Sequence, residues 1–283
     1  MNLRTLMTML AISAAGLLGA HALAASYEPQ HVVIDDPAHD DNGPGSYTYP
    51  TDPAYTKGSF DLRRFELFDR GADVEVRVEV GAPIEDPWNS KSWGGNGFSL
   101  QMVQIYIDQD HKPGSGETRA LPGINVEFDP RSGWEKVIVL SPQPKARLLA
   151  EAAQKARALK PRIVIPKKTW AQGKQILALV AKSELGGAPQ RGWGYQVIMQ
   201  SNEGYPDAGD FLSRKVNEFA GQHRFGGGTD YDCDPHVLDI VVGAGAGGAD
   251  EVQKQHEVLG NYKCAPTPAG YKLAVVPMVY PGT

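Results

Sequence analysis

The run VEVRVEV at residues 74–80 puts Val74, Val76, Val78 and Val80 on one side of an extended chain, and Glu75, Arg77 and Glu79 on the other. A period of two does not fit a helix face, so this stretch commits the chain to a sheet with one side in a core and the other in water. The preceding FDLRRFELF pairs with it through a turn at Asp69-Arg70-Gly71, which predicts an antiparallel hairpin. SLQMVQIYID (99–108) is largely apolar on both faces and reads as a central strand. KVIVL (136–140), RIVIP (162–166), QILALVAK (175–182), GYQVIMQ (194–200) and VLDIVV (237–242) continue the series. KLAVVPMVYP near residue 280 adds an edge strand, since Pro277 has no N–H for a ladder. One helix is predicted over 144–159, rich in Ala, Leu, Lys and Glu, with Pro144 placed to start it. Regular strands separated by Gly/Pro turns indicate an all-β antiparallel β-sandwich with one short helix and long Gly/Pro-rich loops, not alternating βα units. No internal repeat or low-complexity linker divides the chain, so residues 25–283 read as a single domain.

Residues 1–24 have the layout of a secretory signal peptide: Arg4, an apolar stretch to about Leu18, and a small-residue end at Ala22-Leu23-Ala24. The apolar core is short for a span of roughly 20 residues and is interrupted by Gly16 and Gly19, so cleavage after Ala24 is expected rather than a membrane anchor. No twin-Arg precedes it, which points to the general secretory route. The protein is therefore expected to be exported, periplasmic or extracellular, with no membrane span after cleavage. Removing Arg4 takes the formal charge from −5 to −6. With no Lys/Arg cluster interleaved with aromatics, nucleic acid is not expected as a partner. Cys233 and Cys264 stand alone, and in an oxidising compartment such a pair most simply forms one disulfide, two free thiols being the competing reading.

Gly243, Gly245 and Gly248 match a dinucleotide-binding fingerprint, and an apolar strand precedes them. The acidic ribose ligand expected about twenty positions later falls on Asn261-Tyr262-Lys263-Cys264, and only one more strand fits before Thr283. A small-residue loop is the preferred reading. There is no GxSxG elbow, HExxH or P-loop, and a glycosidase pair roughly 5–10 Å apart is not visible in sequence spacing, so no enzyme activity is expected.

The stretch DPAHDDNGPGSYTYPTD (36–52) concentrates carboxylates, turn residues and rings. Calcium takes six to eight oxygens from a sharply turning chain, and Asp36, Asp40, Asp41 and Asn42 offer such a supply. The alternative is a metal-free loop of local Asx hydrogen bonds. Repulsion between adjacent Asp40 and Asp41 tilts the reading towards a cation. Tyr47 and Tyr49, two apart, share a face in an extended segment and are candidate sugar-stacking rings, as are Trp93 and Trp193. For each ring, core packing is the competing reading; Trp88, Trp134, Trp170 and Tyr195 carry the same ambiguity.

DPAHDDNGPGSYTYPTD, GSFDLRRFEL, DPWNSKSWGGNGFSLQMVQIYID, LPGINVEFDPRSGWEKVIVL and HRFGGGTDYDCDPHVLDIV, taken in order, resemble the glucodextranase-type DOMON-like domain. That module resembles the C-terminal region of glucodextranases and of some pullulanases. The resemblance runs from about Asp36 to Val242 and implies a β-sandwich that binds a polysaccharide or envelope glycan without turning it over. The chain departs from those enzymes in having no catalytic domain beside the module, which points to a separate glycan-degrading enzyme and leaves the ligand open. Related DOMON domains bind either sugars or haem. The alternative is thus a periplasmic b-type haem protein in electron transfer, with axial ligands drawn from His39, His111, His223, His236, Met102 and Met199.

Overall fold

The computed structural model describes residues 31–202, 206–242 and 249–282. Its strands, in chain order, are β1 (His31–Asp35), β2 (Leu62–Arg70), β3 (Asp73–Val80), β4 (Gln101–Asp108), β5 (Val126–Phe128), β6 (Lys136–Leu140), β7 (Ile163–Val164), β8 (Lys168–Gln172), β9 (Gln175–Ala181), β10 (Gly194–Ser201), β11 (Asp239–Ile240) and β12 (Ala274–Val276). One sheet has the order β1-β2-β3-β9-β8 and is antiparallel throughout. The second has the order β11-β10-β4-β6-β7, with only β6 and β7 parallel. A short parallel pair, β12-β5, lies apart from both. The chain is an all-β sandwich.

The alternating run explains the first sheet. Val74, Val76, Val78 and Val80 are fully buried, and β2 pairs with β3 through a tight turn at Gly71, whose φ of 77° suits glycine. Each such valine contributes about 1.5–3 kcal/mol of burial. On the opposite face Glu75 accepts ion pairs from Arg70 (2.8 Å) and Arg77 (2.5 Å). The second sheet has no open face at its centre: every residue of β4 and β10 is buried. One side of it, with Val103, Ile105, Ile107, Val197 and Met199, packs on the first sheet. The other side, with Met102, Tyr106 and Ile198, packs on Trp134, Phe128 and the helices. This double burial is why 99–108 is apolar on both faces.

The expected helix is present as α1 (Lys145–Lys155), shorter than 144–159 because a 3₁₀ segment over Arg157–Arg162 replaces its end. A one-turn helix α2 (Lys182–Leu185) and a three-turn helix α3 (Ala249–Gly260) correct the expectation of a single helix. The α3 stretch carries Asp250 and Glu251 in its first turn, the charge that a helix N-terminus favours. Strands expected at 237–242 and near 280 shrink to Asp239–Ile240 and Ala274–Val276. The glycine motif at Gly243, Gly245 and Gly248 and the expected signal peptide at 1–24 lie outside the described residues. Cys233 and Cys264 form a disulfide, with Cα atoms 5.5 Å apart. Among the described residues no helix is long and apolar enough to cross a membrane.

Candidate functional site

Two regions stand out: a buried acidic centre and an exposed aromatic surface. The acidic centre forms where the chain leaves β1 and folds back over β11. Asp36 follows β1, Asp40 lies in the next turn, and Asp239 comes from β11, where β10 pairs with it. Ligand-type oxygens of the three lie within 4.8 Å of one another. Asp40 and Asp239 are fully buried and Asp36 is 7% exposed. Among the described residues, both oxygens of Asp36, both of Asp40 and Oδ1 of Asp239 have no hydrogen-bond donor, while Oδ2 of Asp239 accepts the Leu62 N–H at 2.7 Å. Burial, then the charges of Asp40, Glu251 and Asp61, push the Asp36 carboxyl far up, against a smaller lowering by Arg63. Burial and Asp61 push Asp40 up to about 7. Burial, Asp36 and Asp40 push Asp239 far up. Like charges this close, out of water, do not ionise together without a compensating cation or protons.

Asp41 and Asn42, expected as metal ligands, are turned to other uses. The Asp41 carboxylate accepts the Tyr49 hydroxyl, and the Asn42 side-chain oxygen lies 3.0 Å from Nε2 of His256 on α3. The three-carboxylate group thus takes Asp36 and Asp40 but not Asp41. The turn is bolted down by the Gly43 N–H on the Leu238 carbonyl (2.8 Å) and by Gln255 of α3. Gln255 donates to the Asp40 carbonyl and accepts the Ile240 N–H at 3.0 Å. Asp239 was missed by sequence reading, although a lone aspartate inside the apolar VLDIVV was the available signal.

The structure turns the tyrosine pair largely inward. Tyr47 is 5% exposed, and its hydroxyl donates to Asp234 Oδ2 at 2.6 Å and accepts the His236 N–H at 3.1 Å. Burial raises the Asp234 carboxyl, but His236, Tyr47 and the Thr229 N–H outweigh it and hold it at about 2. Tyr49 packs against Phe225 and Phe60, with ring centroids 4.9 and 5.8 Å away. The exposed Thr48 between them bridges to the buried Gly226, which leaves the two flanking rings on the opposite, inward side of this extended segment. Trp193 is 7% exposed and belongs to the inter-sheet core. Tyr47 and Trp193 are thus buried, and Tyr49 is half-buried.

Trp93 and Trp88, by contrast, are 39% and 42% exposed. Asp86 builds the loop that displays them. Its carboxylate accepts the Ser90 N–H (2.8 Å), the Ser90 hydroxyl (2.9 Å) and the Ser99 hydroxyl, and Ser99 Oγ accepts the Trp88 N–H at 3.3 Å. A 3₁₀ turn over Ser90–Trp93 follows Trp88 and ends on Trp93. A β-carbon at Gly95 would fall 2.6 Å from both the Trp93 ring and the Pro142 carbonyl, so Trp93 leans on a site only glycine can fill. Trp88 meets His223 edge-on at 5.2 Å. His223 lies in a loop strapped to residues 51–52 by the Thr51 and Asp52 N–H groups on the Gly221 and Gln222 carbonyls, both 3.0 Å. Gln222 donates to Asp52 at 3.2 Å. Exposed rings beside amide, carboxylate and imidazole groups can stack on a pyranose face and bond its hydroxyls.

The remaining sequence candidates do not converge. Met102 and Met199 lie on opposite faces of the second sheet, His111 stacks on Tyr280 at 4.3 Å, and His39 sits in a left-handed turn with its N–H on Asp61 at 2.9 Å. A second acidic group, Asp108, Asp110 and Glu135, is supplied with donors. Asp108 accepts the His111 N–H (2.7 Å) and the Tyr280 hydroxyl, and Glu135 accepts the Gln109 N–H (2.8 Å). It serves as a loop anchor.

The class that the fold defines is an all-β sandwich, with exposed indoles on one loop and a buried acidic centre. The chain matches, over residues 32–277, the family described as the C-terminal binding module, SLH-like, of glucodextranase. It belongs to that family. No curated protein matches the chain.

Proposed function

We propose that this chain is an exported, non-catalytic carbohydrate-binding module that recognises an α-glucan or a cell-envelope glycan, working beside a separate glycan-degrading enzyme. A calcium ion stabilises its N-terminal loop. The observation that carries the reading is the pair of exposed indoles, Trp88 and Trp93, on a loop organised by one carboxylate in a chain of a binding-module family. The ligand-facing residues are Trp88, Trp93, His223, Gln222 and Asp52, in place of Tyr47, Tyr49 and Trp193. An open surface of this kind suits weak binding to a repeating polymer, reinforced by multivalency.

The test is electrophoresis through native gels cast with soluble α-glucans, and pull-down on envelope polysaccharide. Wild-type protein is expected to be retarded or retained, and Trp88→Ala with Trp93→Ala to run freely while melting at the wild-type temperature. Stacking on one aromatic ring is worth about 0.5–1.5 kcal/mol, so the double substitution removes affinity by about fivefold or more. A double variant that binds as well as wild type overturns the assignment of the surface.

A further inference from the structure

We infer that Asp36, Asp40 and Asp239 form a buried calcium site that fastens the turn after β1 to β11 and α3. The inference rests on the calcium part of the reading above, not on its glycan part, and it replaces the ligand set expected from sequence.

The carboxylate geometry carries it. Five carboxylate oxygens, two each from Asp36 and Asp40 and Oδ1 of Asp239, lie in the interior without a donor among the described residues. The three side chains are 93% or more buried and bring ligand atoms within 4.8 Å of one another. Oxygens on opposite sides of a calcium ion lie about 4.6–5.2 Å apart, twice its bond length, so the group has the span of a calcium shell. Calcium takes six to eight oxygens, and backbone carbonyls or waters complete such a set. Magnesium keeps its waters and uses one or two carboxylates, and the absence of His or Cys from the group disfavours zinc. Asp61 and Glu251 add negative potential, and Arg63, 3.8 Å from Asp61, offsets part of it. The surroundings are built to match: Leu62 fixes the second oxygen of Asp239, and Gln255 grips the Asp40 carbonyl from α3. An ion here joins segments some 200 residues apart in sequence.

The test uses the whole mature chain, freed of metal by EDTA and dialysed, with CaCl2 as the only added ligand. Titration calorimetry is expected to give one ion per chain. Saturating calcium should raise Tm by about 5–10 °C, an effect that EDTA reverses and equal MgCl2 does not reproduce. Asp239→Asn should weaken calcium binding at least about tenfold. Asp41→Asn, which alters the neighbouring carboxylate bonded to Tyr49, should keep one ion per chain. Should Asp239→Asn not fold, Asp36→Asn gives the same reading. No calcium uptake with an unchanged melt in EDTA overturns the site, as does an Asp239→Asn protein that still binds one ion with wild-type affinity. Equal stabilisation by magnesium overturns the choice of ion. Glycan retardation is read separately in EDTA, so either reading can fail alone.

Discussion

Tyr47→Phe removes one oxygen atom and tests whether that ring is a structural member or a ligand platform. The hydroxyl holds two buried partners, donating to the Asp234 carboxylate at 2.6 Å and accepting the His236 N–H at 3.1 Å. Loss of a hydrogen bond to a charged group costs about 1.5–3 kcal/mol, and an orphaned buried N–H about 1–3 kcal/mol. Part is recovered because the phenyl ring keeps its packing, which leaves a net cost of about 3 kcal/mol. For a domain of this size that lowers Tm by about 6–12 °C. The same substitution removes one of the donors that hold Asp234 at about 2, so its carboxyl rises. A group with a depressed folded pKa contributes stability above its unfolded value, near 3.8, and loses it as pH falls through about 2. The variant should therefore show a smaller stability difference between pH 5 and pH 2 than wild type. Urea unfolding at both pH values, followed by calorimetry, measures both effects. Glycan retardation, taken well below the melt, should be unchanged. A Tm within 2 °C of wild type, or binding lost at unaltered Tm, refutes the reasoning and returns Tyr47 to the surface.

Two further outcomes are expected. In EDTA, acidification should stabilise the protein. Asp40 is raised by burial and by Asp61 to about 7, so the stability present below its unfolded value near 3.8 is lost as pH rises through 7. A melt at pH 8 equal to or above that at pH 5.5 in the metal-free protein contradicts this, and calcium should abolish the trend. Replacing Cys233 and Cys264 by serine opens a loop with a sequence separation of 31. The chain-entropy relation gives about 3–4 kcal/mol, a fall in Tm of about 6–16 °C, and reduction of the wild type should reproduce it. A serine pair that melts with the wild type shows that other contacts tether this segment.

The sandwich was legible because its signals are local. Alternation at 74–80, the turn at Gly71 and the doubly apolar 99–108 each dictate a face without knowledge of partners, and the family resemblance from Asp36 to Val242 agrees with the match at 32–277. What failed depended on partners far away in sequence. Tyr47 and Tyr49 do share a face, but whether that face meets water is decided by Asp234, Phe225 and the bridge from Thr48 to Gly226. Asp36 and Asp40 were singled out for their own loop's composition, whereas their third companion comes from β11. Helix α3 is harder to see because ADEVQKQHEVLG follows a glycine-rich run; its acidic first turn is the local signal.

The bridge between Cys233 and Cys264 encloses β11 and α3, the elements that supply Asp239 and Gln255. A protease that cuts once within that circuit, after Lys254 for instance, opens the backbone without freeing a fragment. Such a nick would pass unseen on a non-reducing gel and appear as two bands after thiol treatment. A module built this way can be wounded at its most polar seam in a protease-rich surrounding and still hold its parts together.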